Sequence, residues 1–334
     1  MLLSPPASLP SIFPPQSAFE SFRHALLSTL CALRRARPDT RLLVLYDPAL
    51  GDPLGVLHDE RRATTLLRHG AGAGVAPPRL IELDCHKTAP YLFETDAGLD
   101  DPCFEASLTQ AYRYAQAGPL GLPDDPGRAC GGWIVTADSG HAVAQRFAAA
   151  SLDLAAPVDH RHRWHDPRAL AHIWDSLSAS QRTTLLGDDL IWLALDAQGR
   201  LRTFQGGAQG APTSRPGSLT LTPEQRARAR QTGQVNRLLA TWQSQQAHLP
   251  PDAAARLHRR LAHPLASRLD GPDRAAFALA TAELDDSFAK DPRWQRAILG
   301  LPGRGTLAES LRQLPRQAWT DNAVARPSRP EPRA

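Results

Sequence analysis

Lysine is almost missing from this chain of 334 residues: Lys87 and Lys290 are the only two among 38 basic side chains. Nearly all the positive charge is arginine. With 30 prolines, abundant alanine and a single methionine, that points to the coding bias of a GC-rich genome, so the arginines are read as background before they are read as function. The 34 acidic residues are scattered among the basic ones, and a net charge of +4 with a pI near 9.1 is a weak basic bias. Aromatic residues make up 6% of the chain, and no basic patch carries interleaved aromatics, which argues against nucleic-acid binding. The four cysteines, Cys31, Cys85, Cys103 and Cys130, form no C-x-x-C pair and have no histidine at zinc-finger spacing. Neither a structural metal site nor a disulfide framework is expected, and reduced thiols suit a cytosol. Nowhere do about 18 consecutive apolar residues occur, the length a spanning helix needs. The opening MLLSPPASLPSIFPP has no basic region and is broken by proline at once, so neither a signal peptide nor an anchor is expected. These absences predict a cytoplasmic protein without membrane or metal partners.

What the chain does have is 42% hydrophobic residues, enough for a substantial core, and a clear order of patterns. Residues 1–16 read as a disordered leader. AFESFRHALLSTLCALRRA then places Phe19, Phe22, Leu26, Leu30 and Leu33 at helical spacing, and RLLVLYD reads as a buried strand. A second helix near 60–69 and a strand over 80–84 follow, then a helix over 104–116, a strand GWIVT at 132–136 and a helix over 139–150. Continuous apolar strands alternating with helices predict α/β layering with some parallel pairing, hence a mixed sheet. DLIWLALD and RLRTF flank Ala197-Gln198-Gly199, a hairpin signal. The Gly/Pro/Ser-rich stretch over 205–219 reads as a linker. Beyond it, Thr222-Pro223-Glu224-Gln225 is a capping box with proline at the first helical position. That helix carries Val235, Leu238, Leu239 and Trp242. A second helix from Asp252 carries Leu257, Leu261, Leu265 and Leu269 with a kink at Pro264. A third, over 273–289, carries Phe277, Leu284 and Phe288, and 292–298 forms a fourth. The expectation is an α/β lobe over 17–204, a small helical lobe over 220–314, and a disordered tail over 315–334.

The densest polar chemistry is HRHRWHDPRAL at 160–170. On an extended segment His160 and His162 share a face and offer two imidazoles to one metal ion, but Arg161 and Arg163 add repelling charge and no further ligands complete the shell. An anion site built by the arginines and a helix N-terminus is the alternative, although Asp166 already occupies that positive end. The favoured reading is architectural: an edge strand with solvated His and Arg, followed by a helix with Asp166 as N-cap and Pro167 at N1. Leu170, Ile173, Trp174 and Leu177 form its buried stripe, and Arg168 is free to meet a carboxylate from another element. As a plain cap, Asp166 is worth about 1 kcal/mol.

Catalytic templates do not fill. Asp138, Ser139 and His141 in TADSGHAV follow a strand end and invite a serine-hydrolase reading, but Ala137 stands where the nucleophile elbow needs glycine. Cys85-His86 are sequence neighbours that face opposite ways on a strand. Gly70, Gly72 and Gly74 do not complete a dinucleotide fingerprint, and no lysine sits in a glycine-rich loop. No cofactor is expected, and a protein that binds other proteins is favoured over an enzyme.

From Trp164 onward the chain resembles a known family, the effector adaptors, or effector chaperones, of bacterial type VI secretion systems. The resemblance is carried by Trp164, Asp166-Pro167-Arg168, Ala169-Leu170, Gly187 and Ile191-Trp192. Upstream, LVLYDP at 43–48, Pro90-Tyr91-Leu92 and Gly132-Trp133-Ile134-Val135 are similar to the family's earlier strands, so that about 18–204 is covered. Asp47 precedes Pro48 where small residues are usual, and His165 stands where an aromatic is common. The resemblance implies a non-catalytic adaptor that binds a toxic effector and helps load it onto the valine-glycine-repeat spike protein. It also implies that the helical lobe chooses the cargo. On that basis Trp242, Leu257, Leu261, Phe277 and Phe288 are candidate partner-binding residues, although the same stripes fit the lobe's own core. The alternatives from other classes are a hydrolase using Ser139 and His141, and an arginine-driven nucleic-acid binder.

Overall fold

A computed structural model describes residues 16–47, 80–82, 90–95, 101–116, 129–151, 162–206, 219–246, 249–299 and 306–321. The expected helix over 60–69, the glycine run at 70–74, Cys85-His86, His160 and nearly all of the 205–219 stretch lie outside the described residues. The chain divides into two compact units, Met1–Thr232 and Gly233–Ala334. The division thus falls beyond the 205–219 stretch, and Leu219 and Leu221 belong to a core cluster of the first unit.

The first unit is built on a six-stranded sheet with the order β2-β3-β1-β4-β5-β6. Its strands are β1 (Arg41–Tyr46), β2 (Leu80–Glu82), β3 (Tyr91–Thr95), β4 (Cys130–Thr136), β5 (Ile191–Leu195) and β6 (Leu201–Gln205). Alternation along the strands divides the core in two. Leu43, Leu45, Ile134, Trp192, Ala194 and Phe204 face one apolar cluster, together with Val143 and Phe147 of α3 (Gly140–Ser151), Leu170 and Ile173 of α4 (Pro167–Ile173), and Leu185 and Leu186 of α5 (Ala179–Leu186). Leu42, Val44, Tyr46, Trp133, Val135, Ile191 and Leu193 face the other, with Leu26 and Leu30 of α1 (Gln16–Ala36) and Phe104 and Leu108 of α2 (Pro102–Gln116). Helices therefore cover both faces, which explains why the strands read as unbroken apolar runs.

Every strand pairing among the described residues is antiparallel, so the expected mixed sheet is not what forms. The alternation of helix and strand misled for a specific reason. Both β3 and β4 run antiparallel to β1, hence parallel to each other, and α2 connects them; but β1 lies between them and takes the hydrogen bonds of both. The crossover is present without a parallel ladder.

Strand β4 opens on a bulge. Leu45 pairs with Gly132 and Tyr46 with Cys130, which leaves Gly131 without a partner on β1. Gly132 has φ +117, and a Cβ there would collide with the carbonyl oxygen of Leu193. A Cβ on Gly131 would stand 2.8 Å from the carbonyl oxygen of His165. At the far edge, Asp196 closes the β5–β6 hairpin: its Oδ1 accepts from the amides of Gln198 and Arg200, and Gly199 supplies the positive φ of +74. Two capping boxes meet beside the sheet. Ser178 and Gln181 start α5, Thr222 and Gln225 start α6 (Pro223–Gln245), and the two glutamine amides hydrogen-bond each other reciprocally at 2.8 and 3.0 Å.

The second unit starts within α6 and continues through α7 (Ala253–Leu261), α8 (Gly271–Thr281), α9 (Pro292–Leu299), α10 (Leu307–Arg312) and α11 (Arg316–Thr320). Pro264 ends a helix rather than kinking it, since α7 stops at Leu261 and a separate 3₁₀ turn follows at Ala266–Arg268. The helix expected over 273–289 divides likewise, at Thr281, with a 3₁₀ turn at Asp286–Lys290. Buried Arg260 explains this break. Its guanidinium donates to the carbonyls of Thr281 and Leu284 and to the Asp286 carboxylate, and lies 4.8 Å from the Phe288 ring centre. Carbonyls claimed by arginine need no helical partner. Residues 315–321 also differ from the expected disorder: Ala318 of α11 is buried, its carbonyl accepts from the Trp294 indole, and Trp319 packs edge-on against Trp294 at 4.8 Å. One alanine and one tryptophan in a polar, proline-flanked stretch gave too weak a period to reveal this.

Two glycines test this description with opposite signs. Gly132→Ala is expected to lower the unfolding free energy by about 3 kcal/mol, from collision plus positive-φ strain. Gly233→Ala is expected to raise it by about 0.5–1 kcal/mol, because Gly233 is exposed inside α6 and a Cβ there meets only the end of the Arg237 side chain. Urea unfolding of both variants checks the pair, and a neutral Gly132→Ala contradicts the packing of β4 on β5.

Candidate functional site

The described residues of the HRHRWHDPRAL stretch meet the end of β1 and the start of β4, in the first unit. Residues 162–166 form a tight turn rather than an extended edge strand. The Trp164 amide donates to the His162 carbonyl and the Asp166 amide to the Arg163 carbonyl. Nor are its histidines solvated: His162 is buried and stacks on the Trp164 ring at 4.5 Å. The tryptophan decides this. Its ring joins the apolar cluster under α3 and α4, and its indole N–H donates to the Ala150 carbonyl at 2.9 Å, so the chain must fold inward to deliver it.

Two buried carboxylates organise the turn. Asp47, at the end of β1, anchors its amide on the Ala129 carbonyl and accepts at Oδ2 from Arg163 Nη2 at 2.6 Å and from His165 Nε2 at 3.0 Å. Burial opposes its ionisation, but the His165 hydrogen bond and charge, with Arg163, outweigh that and hold its carboxyl below the ordinary range. Asp166 caps α4 through the Arg168 amide at 2.9 Å and grips the Arg168 guanidinium at 3.0 and 2.8 Å, with Pro167 at the first helical position. Burial again resists the charge; the Arg168 guanidinium overcomes it and holds the carboxyl down at about 2. The carboxylate that Arg168 was expected to find on another element is supplied by its own helix cap, with Asp47 adding attraction from further away.

The remaining motif residues sit in the same body. Leu170 and Trp192 belong to the cluster that holds Trp164. Trp192 donates its indole N–H to the Gly131 carbonyl at 3.0 Å. Gly187 ends α5 with φ +77, where Arg146 lies against it and donates to the Leu186 carbonyl. Aromatics, cap, glycine and ion pairs interlock as framework. The sequence did not reveal the Asp47–Arg163–His165 grouping, because Asp47 stands 116 and 118 positions from the other two; the end of an apolar strand in a lone aspartate was the one available signal.

The hydrolase candidates take separate partners. Asp138 accepts from Arg146 at 2.7 Å, Ser139 Oγ accepts from the Ala142 amide, and the His141 ring meets Gln145. A nucleophile and base in mutual contact are not formed there. Burial pushes the Cys130 thiol up to about 12, away from thiolate chemistry. Among the described residues no group of three or more His, Cys, Asp or Glu could hold a metal ion, and no helix is long and apolar enough to cross a membrane. A recess of about 600 Å³ beside the paired capping boxes is lined by Ser178, Gln181, Thr184, Thr220 and Thr222, with no titratable side chain.

The residues expected to meet a partner are placed differently from that expectation. Trp242, Leu257, Leu261, Phe277 and Phe288 are all at most 3% exposed, and Phe277 and Phe288 belong to the second unit's own core cluster. Helical stripes of Leu, Phe and Trp served burial, as amphipathic helices ordinarily do.

The buried pair yields two predictions. Asp166→Ala is expected to cost about 3–5 kcal/mol, well beyond a cap, because it strands the Arg168 charge; Asp166→Ala with Arg168→Met recovers part of the loss, and denaturant titration separates the cases. Both carboxyls sit below their ordinary value of 3.8, so their contribution is complete above about pH 5 and is lost as pH falls toward 2. For Asp166 the loss is about 2 kcal/mol. Stability measured from pH 7 to 2 should fall mainly below pH 4, and less steeply in Asp166→Asn; a loss concentrated between pH 7 and 5 contradicts the assignment.

No family model, no curated protein and no solved structure matches this chain.

Proposed function

We propose that this chain is a non-catalytic adaptor of the type VI secretion kind, which binds a toxic effector in the cytoplasm and assists its loading onto the valine-glycine-repeat spike protein. One observation carries the reading. The segments that resemble the adaptor family, far apart in sequence, converge on one interlocked body: Asp47 from LVLYDP, Trp164 and Asp166-Pro167-Arg168 from the histidine-rich stretch, Gly187, and Trp192 from β5. A signature made of residues that build a framework is what a binding protein carries, whereas an enzyme's signature centres on reactive groups. The engaged carboxylates support the same reading, since Asp47 and Asp166 are each spent on a cap or an ion pair. The buried helical stripes do not serve as the cargo surface, so recognition is assigned to exposed parts of the molecule.

Co-expression tests the proposal. Produced together with a toxin and a spike protein encoded beside its gene, the chain is expected to co-elute with one of them as a stoichiometric complex in size-exclusion chromatography. Elution alone from every such combination counts against adaptor function.

A further inference from the structure

The sheet of the first unit ends on β6, and that edge is open in a patterned way. The Asp196 amide donates to the Arg200 carbonyl, and the register continues as Ala194 opposite Arg202 and Trp192 opposite Phe204. In an antiparallel ladder this turns the amides and carbonyls of Arg202 and Phe204 toward β5, and those of Leu201, Thr203 and Gln205 outward. No described residue hydrogen-bonds the outward set. Thr203 and Gln205 are exposed. No proline and no register shift interrupts β6, two of the devices that commonly block an edge. Its core-side residue Phe204 is fully buried between Trp174 and Trp192, so the strand is held firmly while its rim has no hydrogen-bond partner among the described residues.

Charge selects the occupant. Arg202, on the same face as Phe204, pairs with Asp175 at 3.9 Å, and 81% of the Asp175 side chain is exposed, a contact easily exchanged for a better one. We propose that the outer edge of β6 is a docking strand, to which an extended segment of a partner protein adds as a further strand with a carboxylate beside Arg202. The partner's identity as cargo rests on the adaptor reading; the edge chemistry does not.

The probe is a soluble nine-residue synthetic peptide of alternating valine and threonine with two glutamates and no proline. Residue-resolved amide hydrogen exchange on the whole protein is expected to slow at Thr203 and Gln205 by about 10-fold at saturating peptide, with Arg202 and Phe204 unchanged. Replacing the glutamates by lysine should weaken binding about 3-fold. Thr203→Pro, which removes an outward donor while sparing the β5 ladder, should abolish binding, and Thr203→Ala should bind as the parent does. Unchanged exchange in the parent protein overturns the proposal, as does undiminished binding by Thr203→Pro with an unaltered melting temperature. Because the probe is a peptide, the edge can fail while co-elution with a toxin or spike stands, and the reverse.

Discussion

The first unit depends on one close approach: the turn at 162–166 lies directly on the start of β4, and only glycine permits it. The His165 carbonyl occupies the space a Cβ on Gly131 would need, and β5 occupies the space beside Gly132. That approach has several consequences. The Gly131 carbonyl is left available to the Trp192 indole. The turn comes near enough to the end of β1 for Arg163 and His165 to reach Asp47. With Asp47 tied to Ala129 through its own amide, the bulge in β4, the end of β1 and the start of α4 are fixed against one another. A short polar stretch thus adds its own constraint to a register already set by burial.

Electrostatics in this body favours rigidity over reactivity. A carboxylate useful in proton transfer is tuned toward neutral pH by burial or a like charge. Asp47 and Asp166 are buried, yet both are driven the other way by the cations they face. They remain charged across the physiological range, which suits a joint and not a general acid. The same holds beside α3: Arg146 takes the Asp138 carboxylate, and the Ala142 amide donates to the Ser139 oxygen.

Much of the fold was legible because local and global preferences agree. Apolar period, the Thr222 and Asp166 caps and the Gly199 turn each marked a boundary that the backbone respects. What stayed hidden was set by distant partners. Strand direction depended on β1 inserting between β3 and β4, which no local pattern records. Helix lengths in the second unit depended on Arg260, which stands 21 residues before the Thr281 carbonyl it claims. In the candidate site, Asp166 and Pro167 were readable as a cap because their partners are adjacent, whereas the Asp47 grouping joins residues 116 and 118 positions apart. The error over Trp242, Leu257, Leu261, Phe277 and Phe288 has another source: an amphipathic stripe marks burial without saying against what.

Arginine, set aside at first as compositional background, turns out to be the main fastener. Arg37 donates to the Asp189 carbonyl, Arg146 to that of Leu186, Arg182 to that of Trp174, Arg260 to those of Thr281 and Leu284, and Arg274 to that of Leu261. Most of these oxygens lie at or just beyond the end of a helix, where carbonyls lack intrahelical partners. A guanidinium can hold a carboxylate and carbonyls at once through its fixed fork, as Arg260 does with Nε, Nη1 and Nη2, and an ammonium group presents no such geometry. A composition rich in arginine and poor in lysine therefore did not merely recolour the surface of this protein. It supplied the side chain best suited to closing short helices, and the second unit, assembled largely from helices of five to eleven residues, is the kind of structure that such closures make possible.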